Sequence, residues 1–339
     1  MLPIWPAPDA APPPAPPPRE PAWSGLELAF IVIFTIAAML VVSAIAVFMW
    51  AIVMRATGHL HLPREQAIVG MMLLGQTGGF ILGFGFAWLW IDQAQGRRFW
   101  QAIHWRKIGA EGVGLALLGG VGLMIVVQAL GHVVPMPKNT PEERLFTPHT
   151  VWMLALYGVI IAPFFEEFFF RGLLYPTLRA TFSLGVKPEE LRAWRPLVRV
   201  LMGLGVLAVV IWGLREYELV LGTIGPTQYI LGAILLVFLA MPQWPIRGVG
   251  WILNQMARLH RGEALAIFVT GLLFGLMHAA QLGWAWGAVL ILVLVGIVLT
   301  VVRARSGSLL PSWLMHCAYN GVLFAAEFIS SRGFHHLPH

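Results

Sequence analysis

The sequence predicts an all-α fold, a polytopic bundle of about nine transmembrane helices (roughly eight to ten). Of its 339 residues, 58% are hydrophobic and 11% are charged, whereas soluble domains carry roughly 25% charged residues. The mean hydropathy is +0.76. The chain also contains apolar runs near the ~20 residues that cross a bilayer as a helix. Because so little charge cannot cover a surface in water, most of the exterior must face lipid, and a soluble enzyme is excluded.

The apolar runs follow one another with short polar connections. The second run is rich in small residues, and Gly75, Gly78, Gly79, Gly83 and Gly85 indicate close packing of helix backbones. The nine predicted spans are 26–54, 67–91, 112–134, 151–175, 197–214, 220–241, 264–282, 284–302 and 308–329.

These runs divide the chain into four parts. Residues 1–25 contain ten prolines, a composition typical of an extended or disordered tail. Residues 26–144 hold the N-terminal transmembrane helices, and residues 145–329 hold the remaining transmembrane helices. Residues 330–339 form a second tail, which could bind metal but which we expect to be solvated. Its histidines are His335, His336 and His339.

The basic residues predict the orientation of the chain. The 22 Lys and Arg exceed the 16 Asp and Glu. With alternating sides, fifteen basic residues lie on one side and six on the other, and Arg171 lies within a run. Such an excess marks the cytoplasmic side, so the N-terminus is predicted to be cytoplasmic. The charge is thus an orientation signal, and no nucleic-acid partner is expected. The single cysteine, Cys317, excludes an internal disulfide and a cysteine metal cluster.

Few ionisable residues lie well inside the apolar runs, where a charged group costs about 2.5–3.5 kcal/mol on the insertion scale. Glu166, Glu167 and Arg171 lie in the fourth run. His278 and His316 lie in the seventh and ninth runs. Residues retained at such a cost indicate a functional site.

The fourth run gives its two glutamates different surroundings. Glu167 and Arg171 are four residues apart and can form an ion pair on one helix face. Glu166 points about 100° away. It has no intrahelical counter-charge and is therefore a candidate general base. Pro163 lacks an N–H and leaves a carbonyl unpaired one turn earlier.

Two further helices carry polar pairs at one-turn spacing. His278 shares a face with Phe274, and His316 shares a face with Asn320. Each feature also has a purely structural interpretation. The ion pair could be a packing clasp, and a histidine or asparagine could be an interhelical hydrogen-bonding residue. The joint occurrence of these residues at helical spacing favours a common site.

These motifs resemble those of the CPBP family, which comprises the CAAX proteases and bacteriocin-processing enzymes and is also called the ABI family of intramembrane proteases. The resemblance covers residues 145–329. It implies a catalytic transmembrane domain there, in the inner (plasma) membrane of a bacterium. The matching motifs are Glu166-Glu167-x-x-x-Arg171, Phe274-x-x-x-His278 and His316-x-x-x-Asn320.

The resemblance also implies a role for each residue. Glu166 would activate a water molecule, and His278 would help to position it. His316 and Asn320 would line the site and stabilise the oxyanion. The ion pair of the first motif would hold its helix in place. The implied substrate is a peptide or lipidated protein in the lipid bilayer.

One feature departs from the family pattern. Glu166 and His278 lie 112 residues apart, whereas the family usually joins these motifs by a much shorter segment. The extra length, at about 195–261, is interpreted as an insertion that contains two additional spans.

The predicted activity is hydrolysis of a peptide bond by glutamate-activated water. The sequence does not decide whether Zn²⁺ takes part in the reaction. The zinc-binding helix motif His-Glu-x-x-His is absent. However, Glu166, His278 and His316 could bind Zn²⁺ and leave one coordination position open for water. A metal-free scheme fits equally well. The alternatives from other classes are a proton-coupled transporter, which uses intramembrane ionisable groups, and a non-catalytic membrane scaffold.

Overall fold

The structure is a computed structural model, described for most of the chain. Several sequence assignments lie outside the described residues: the fifth and sixth predicted spans, residues 1–20 of the proline-rich tail, and the three terminal histidines. The insertion at 195–261 lies outside them too, apart from single positions. The described residues are 21–57, 64–94, 98–134, 145–147, 150–184, 188–193 and 261–334, with single positions between these ranges.

Throughout the described ranges the regular secondary structure is helical, as the sequence predicts. The helices are α1 (Gly25–Thr57), α2 (Arg64–Leu89), α3 (Phe99–Ala102), α4 (Ala110–Gly131), α5 (Val151–Leu156), α6 (Ala162–Glu167), α7 (Tyr175–Leu184), α8 (Pro188–Ala193), α9 (Gly262–Met277), α10 (Trp286–Ser306) and α11 (Leu309–Ser330). There are also three π-helical segments in the described residues. Trp90–Ala94 follows α2, Tyr157–Ile161 joins α5 to α6, and Phe168–Leu174 joins α6 to α7.

The predicted count of about nine spans is not confirmed. In the described part of the chain, five helical segments are long and apolar enough to cross a membrane. Helix α9 is not among these five, because it ends just before His278 and has only 16 residues. Helix α11 has 22 residues. It is not among the five either, because His316, Tyr319 and Asn320 lower its hydropathy. The five segments are Gly25–Ala56, Gln66–Gln93, Ala110–Gly131, Val151–Ser183 and Trp286–Ser306.

Helices α1 and α2 pack through glycine, as the sequence indicates. A Cβ atom on Gly75 or Gly79 would overlap side chains of α1, and the same holds for Gly78 and Gly83. Gly85 differs, since a Cβ there would meet open space. Close backbone approach of this kind is typical of helix pairs in membranes.

Several helix ends meet on one side of the bundle. The N–H of Leu309 donates to the His104 carbonyl at 3.0 Å. The Ser308 hydroxyl accepts from the Arg106 N–H at 3.2 Å and donates to the Arg106 carbonyl at 2.9 Å. Gly262, at the start of α9, lies against the backbone of Phe182 in α7. We call this the basic side, because it is the side on which the sequence places the excess of Lys and Arg.

Residues 21–24, which the sequence assigns to the tail, pack onto this side of the bundle. Trp23 is 1% exposed, and its indole N–H donates to the Thr177 hydroxyl at 2.8 Å. Its neighbours include Leu173 and Leu309. The chain segment before α1 is therefore anchored to α7, which continues the helical segment Val151–Ser183 that carries the two glutamates.

Candidate active site

Three helices bring the predicted site residues together around Glu166. One carboxylate oxygen of Glu166, on α6, lies 3.9 Å from Nε2 of His278, which follows α9. The other oxygen lies 3.7 Å from Nε2 of His316, on α11. The side chains of Glu166 and His278 are 14% and 17% exposed, and that of His316 is 4% exposed. The three groups form a partly accessible polar cluster inside an apolar bundle.

His278 is held by the end of its own helix. Its Nδ1 lies 2.8 Å from the Phe274 carbonyl. A carbonyl can only accept, so Nδ1 carries a proton, and Nε2 is the ring atom that faces Glu166. The rings of His278 and Phe274 lie 4.9 Å apart. The Phe-x-x-x-His spacing thus fixes both the orientation and the tautomer of the histidine.

His316 is held by Glu167. Its Nδ1 lies 3.0 Å from a Glu167 carboxylate oxygen. By the same reasoning Nδ1 donates, and Nε2 is the ring atom that faces Glu166. The separations of 3.7 and 3.9 Å from Glu166 exceed direct hydrogen bonds and suit a bridging water molecule.

Glu167 and Arg171 form the ion pair that their spacing predicts. Arg171 Nη1 lies 2.8 Å from Glu167, and both side chains are fully buried. Arg171 also donates to the Thr300 hydroxyl at 3.2 Å and to the Gly296 carbonyl at 2.8 Å. Its guanidinium stands 4.5 Å from the centre of the Phe274 ring. The pair therefore links the glutamate helix to α10 and, through Glu167, orients His316.

Asn320 forms a hydrogen bond with the backbone beside the site. Its side-chain amide donates to the Gly158 carbonyl at 2.6 Å. In the π-helical segment Tyr157–Ile161 the Ala162 N–H bonds to the Tyr157 carbonyl. The next donor in that register would be Pro163, which has no N–H. Asn320 thus satisfies the carbonyl that the proline leaves unpaired, and an oxyanion role would use its second N–H.

Sequence reasoning missed two groups near these residues. Thr300 and Gly296, which hold Arg171, lie in an apolar run without any ionisable residue. Tyr157 has a buried hydroxyl beside Thr77, within reach of the charge of Glu166. Tyr157 could not be singled out from the sequence, because a lone tyrosine in an apolar span is common near membrane interfaces.

The cluster combines donor types that zinc uses, a carboxylate and two imidazoles. However, the part of the chain described by the structure contains no group of three His, Cys, Asp or Glu side chains arranged to hold one metal ion. Glu166, His278 and His316 are the residues that would hold such an ion.

A helical membrane bundle with a buried Glu-Glu-x-x-x-Arg motif facing two histidine helices is the arrangement expected of the CPBP intramembrane proteases. The family model described as Type II CAAX prenyl endopeptidase Rce1-like matches residues 148–244 and 246–322. These ranges cover about half of the chain and include all three motifs. The chain belongs to this protease family and is an integral membrane protein, which confirms the resemblance inferred from the motifs.

The matched ranges also run through most of the segment 195–261, which the sequence assigns to an insertion. No curated protein and no solved structure matches the chain.

Proposed function

We propose that this protein is an intramembrane endopeptidase that hydrolyses a peptide bond of a membrane-associated peptide or lipidated protein. Glu166 activates the attacking water. The observation that carries the proposal is the position of the Glu166 carboxylate, 3.9 and 3.7 Å from the Nε2 atoms of His278 and His316. Membership of a protease family supports hydrolysis over the transporter and scaffold alternatives.

In the first step, Glu166 takes a proton from the water while the oxygen attacks the scissile carbonyl carbon. The lone pair on His278 Nε2 accepts the second O–H of the water and holds it in line. Because His278 Nδ1 is committed to the Phe274 carbonyl, the ring cannot turn away without losing that hydrogen bond. This geometry supports a scheme in which Glu166 is the base and His278 positions the water.

The attack places negative charge on the carbonyl oxygen. The second N–H of Asn320 and, when it carries two protons, the ring of His316 supply donors for this oxyanion. Glu167 balances the positive charge of His316, as the buried carboxylate of a catalytic triad does. Such donors act strongly here because the surroundings exclude most water.

In the last step, the carbon–nitrogen bond breaks and the proton held by Glu166 passes to the leaving amine. The water oxygen remains on the new carboxyl group. This scheme uses side chains alone, and no step of it runs through a metal ion.

The test compares the wild-type protein with Glu166→Gln in liposomes that contain quenched fluorescent peptides, with and without a prenylated cysteine. Glu166→Gln should lower the cleavage rate by about 10²–10⁴-fold, the contribution of a general base. Its unfolding temperature should stay near that of the wild type. The exposed Glu111, in the first turn of α4, provides the control Glu111→Gln, which should leave cleavage unchanged.

Membranes from cells that express either form can be compared for new peptide termini, which identifies the substrate directly. Full proteolysis by Glu166→Gln would overturn the assignment of the base. Loss of activity with a zinc chelator, followed by recovery with added Zn²⁺, would overturn the metal-free scheme.

A further inference from the structure

A cavity lies on the basic side of the bundle, and Glu166 is not among the residues that line it. Its volume is about 360 Å³, within the range of about 300–1,000 Å³ for small-molecule sites. Three arginines line it: Arg303 in the last turn of α10, Arg179 on α7, and Arg106 before α4. Tyr175 and His104 complete its polar wall.

Arg303 is buried in the wall of this cavity. It is 5% exposed, and its Nε has no hydrogen-bond partner among the described residues. The guanidinium lies 6.0 Å from the centre of the Tyr175 ring. A buried donor left unpaired is destabilising, and more so when it is charged. Its retention indicates a ligand that completes the hydrogen bonds.

The charges around the cavity favour an anion. The charges of Arg106 and Arg179 both act on Arg303. The carboxylate that approaches them belongs to Glu263, 3.6 Å from Arg179 and 3.0 Å from the Tyr175 hydroxyl. The charge of Glu167 also reaches Arg303, but that carboxylate is already paired with Arg171. Among the described residues around the cavity, guanidinium groups therefore outnumber carboxylates.

The cavity lies where transmembrane helices leave the hydrocarbon. The segment Val151–Ser183 has 33 residues, which as a helix extend about 50 Å, against about 30 Å of hydrocarbon. Its last residues, with Arg179, therefore reach the headgroup region. Arg303 occupies the equivalent end of the span Trp286–Ser306. Basic pockets between helices at this level bind lipid headgroups.

We propose that this cavity binds the phosphate group of an anionic phospholipid headgroup from the adjoining leaflet. Arginine suits this ligand because its planar guanidinium donates two parallel hydrogen bonds to phosphate oxygens. A soluble phosphate shares that chemistry, but the position at the span ends favours the lipid. The site is separate from the Glu166 cluster, and its test measures binding rather than cleavage.

The experiment measures binding to the purified full-length protein of three probes: short-chain phosphatidylglycerol, phosphatidylcholine with the same chains, and inorganic phosphate. The wild type should prefer phosphatidylglycerol. Arg303→Gln and Arg179→Gln should each weaken its binding by about fivefold or more, since each removes charge-assisted hydrogen bonds to the phosphate oxygens. The matched control is Arg305→Gln, because Arg305 is exposed in the same helical turn and does not line the cavity. It should change binding by less than about twofold.

Arg303→Gln removes a buried charge and could fail to fold. Arg179→Gln keeps the test decisive, since the Arg179 side chain is 58% exposed. The proposal is overturned by equal weakening in Arg305→Gln, or by equal binding of the two lipids. Inorganic phosphate that binds as tightly as phosphatidylglycerol would overturn the assignment to a lipid.

Discussion

At the scale of single residues, the site depends on two neighbouring glutamates that face different partners. Glu166 faces the two histidines, whereas Glu167 is fully buried between Arg171 and His316. The rotation of about 100° per residue in a helix produces this division. One carboxylate is available for chemistry, and the other holds the structure that presents it.

Glu167→Gln is expected to destabilise the protein, because it leaves the Arg171 charge buried without a counter-charge. Breaking a buried pair in this way costs about 3–5 kcal/mol. The double variant Glu167→Gln/Arg171→Met removes both charges and should recover part of this loss. Thermal unfolding in detergent measures both effects, with Glu166→Gln as the isosteric control. A double variant as unstable as Glu167→Gln alone would contradict the pairing argument.

At the scale of helices, packing and backbone register position the polar groups. Helices α9 and α10 approach closely at Gly275 and Gly296: a Cβ on Gly275 would lie 2.6 Å from the Val293 nitrogen, and one on Gly296 would lie 2.9 Å from the Gly271 Cα. The N–H of His278 donates to the Gly275 carbonyl at 3.1 Å. The same contact therefore joins the helices and places His278.

Gly275→Ala should separate α9 from α10 and move His278 away from Glu166. We expect a stability loss of about 1–3 kcal/mol, as for overpacked sites, and a fall in kcat larger than any change in KM. Gly122→Ala is the control, because a Cβ at Gly122 in α4 meets nothing within 4 Å. Unfolding temperatures and peptide cleavage kinetics give the two readouts. Normal kcat in Gly275→Ala would show that His278 does not depend on this contact.

The π-helical segment before α6 allows the two possible roles of Asn320 to be separated. Asn320→Ala should leave the Gly158 carbonyl unpaired and cost about 1–3 kcal/mol. Adding Pro163→Ala restores an N–H in the register that reaches this carbonyl, so part of the stability should return. If Asn320 also donates to the oxyanion, cleavage should stay low in the double variant. Recovery of both stability and cleavage would limit Asn320 to a structural role.

At the scale of the whole molecule, the sequence predicts the helical membrane fold and the motif residues better than the number of spans. Ionisable residues inside apolar runs are rare enough to identify Glu166 and the two histidines directly. The count of about nine spans is not confirmed, because two predicted spans lie outside the described residues, α9 stops at His278 and α11 is made more polar by site residues. Thr300 and the π-helical register could not be predicted, because a threonine in an apolar run carries no distinctive pattern and the register emerges only from packing.

The orientation of the molecule is a prediction that the helix ends make testable. The basic side should face the cytoplasm, because an excess of Lys and Arg resists translocation. Arg305 lies on this side. Val133, which is 82% exposed, follows the far end of α4 and should face the opposite compartment.

Arg305→Cys and Val133→Cys, each made in a Cys317→Ala background, place one thiol on each side. A membrane-impermeant maleimide added to intact spheroplasts should label the Val133→Cys protein at once. It should label the Arg305→Cys protein only after permeabilisation. The reverse labelling pattern would show that the chain has the opposite orientation in the membrane. It would also place the arginine cavity in the outer leaflet and change the leaflet whose lipids it could bind.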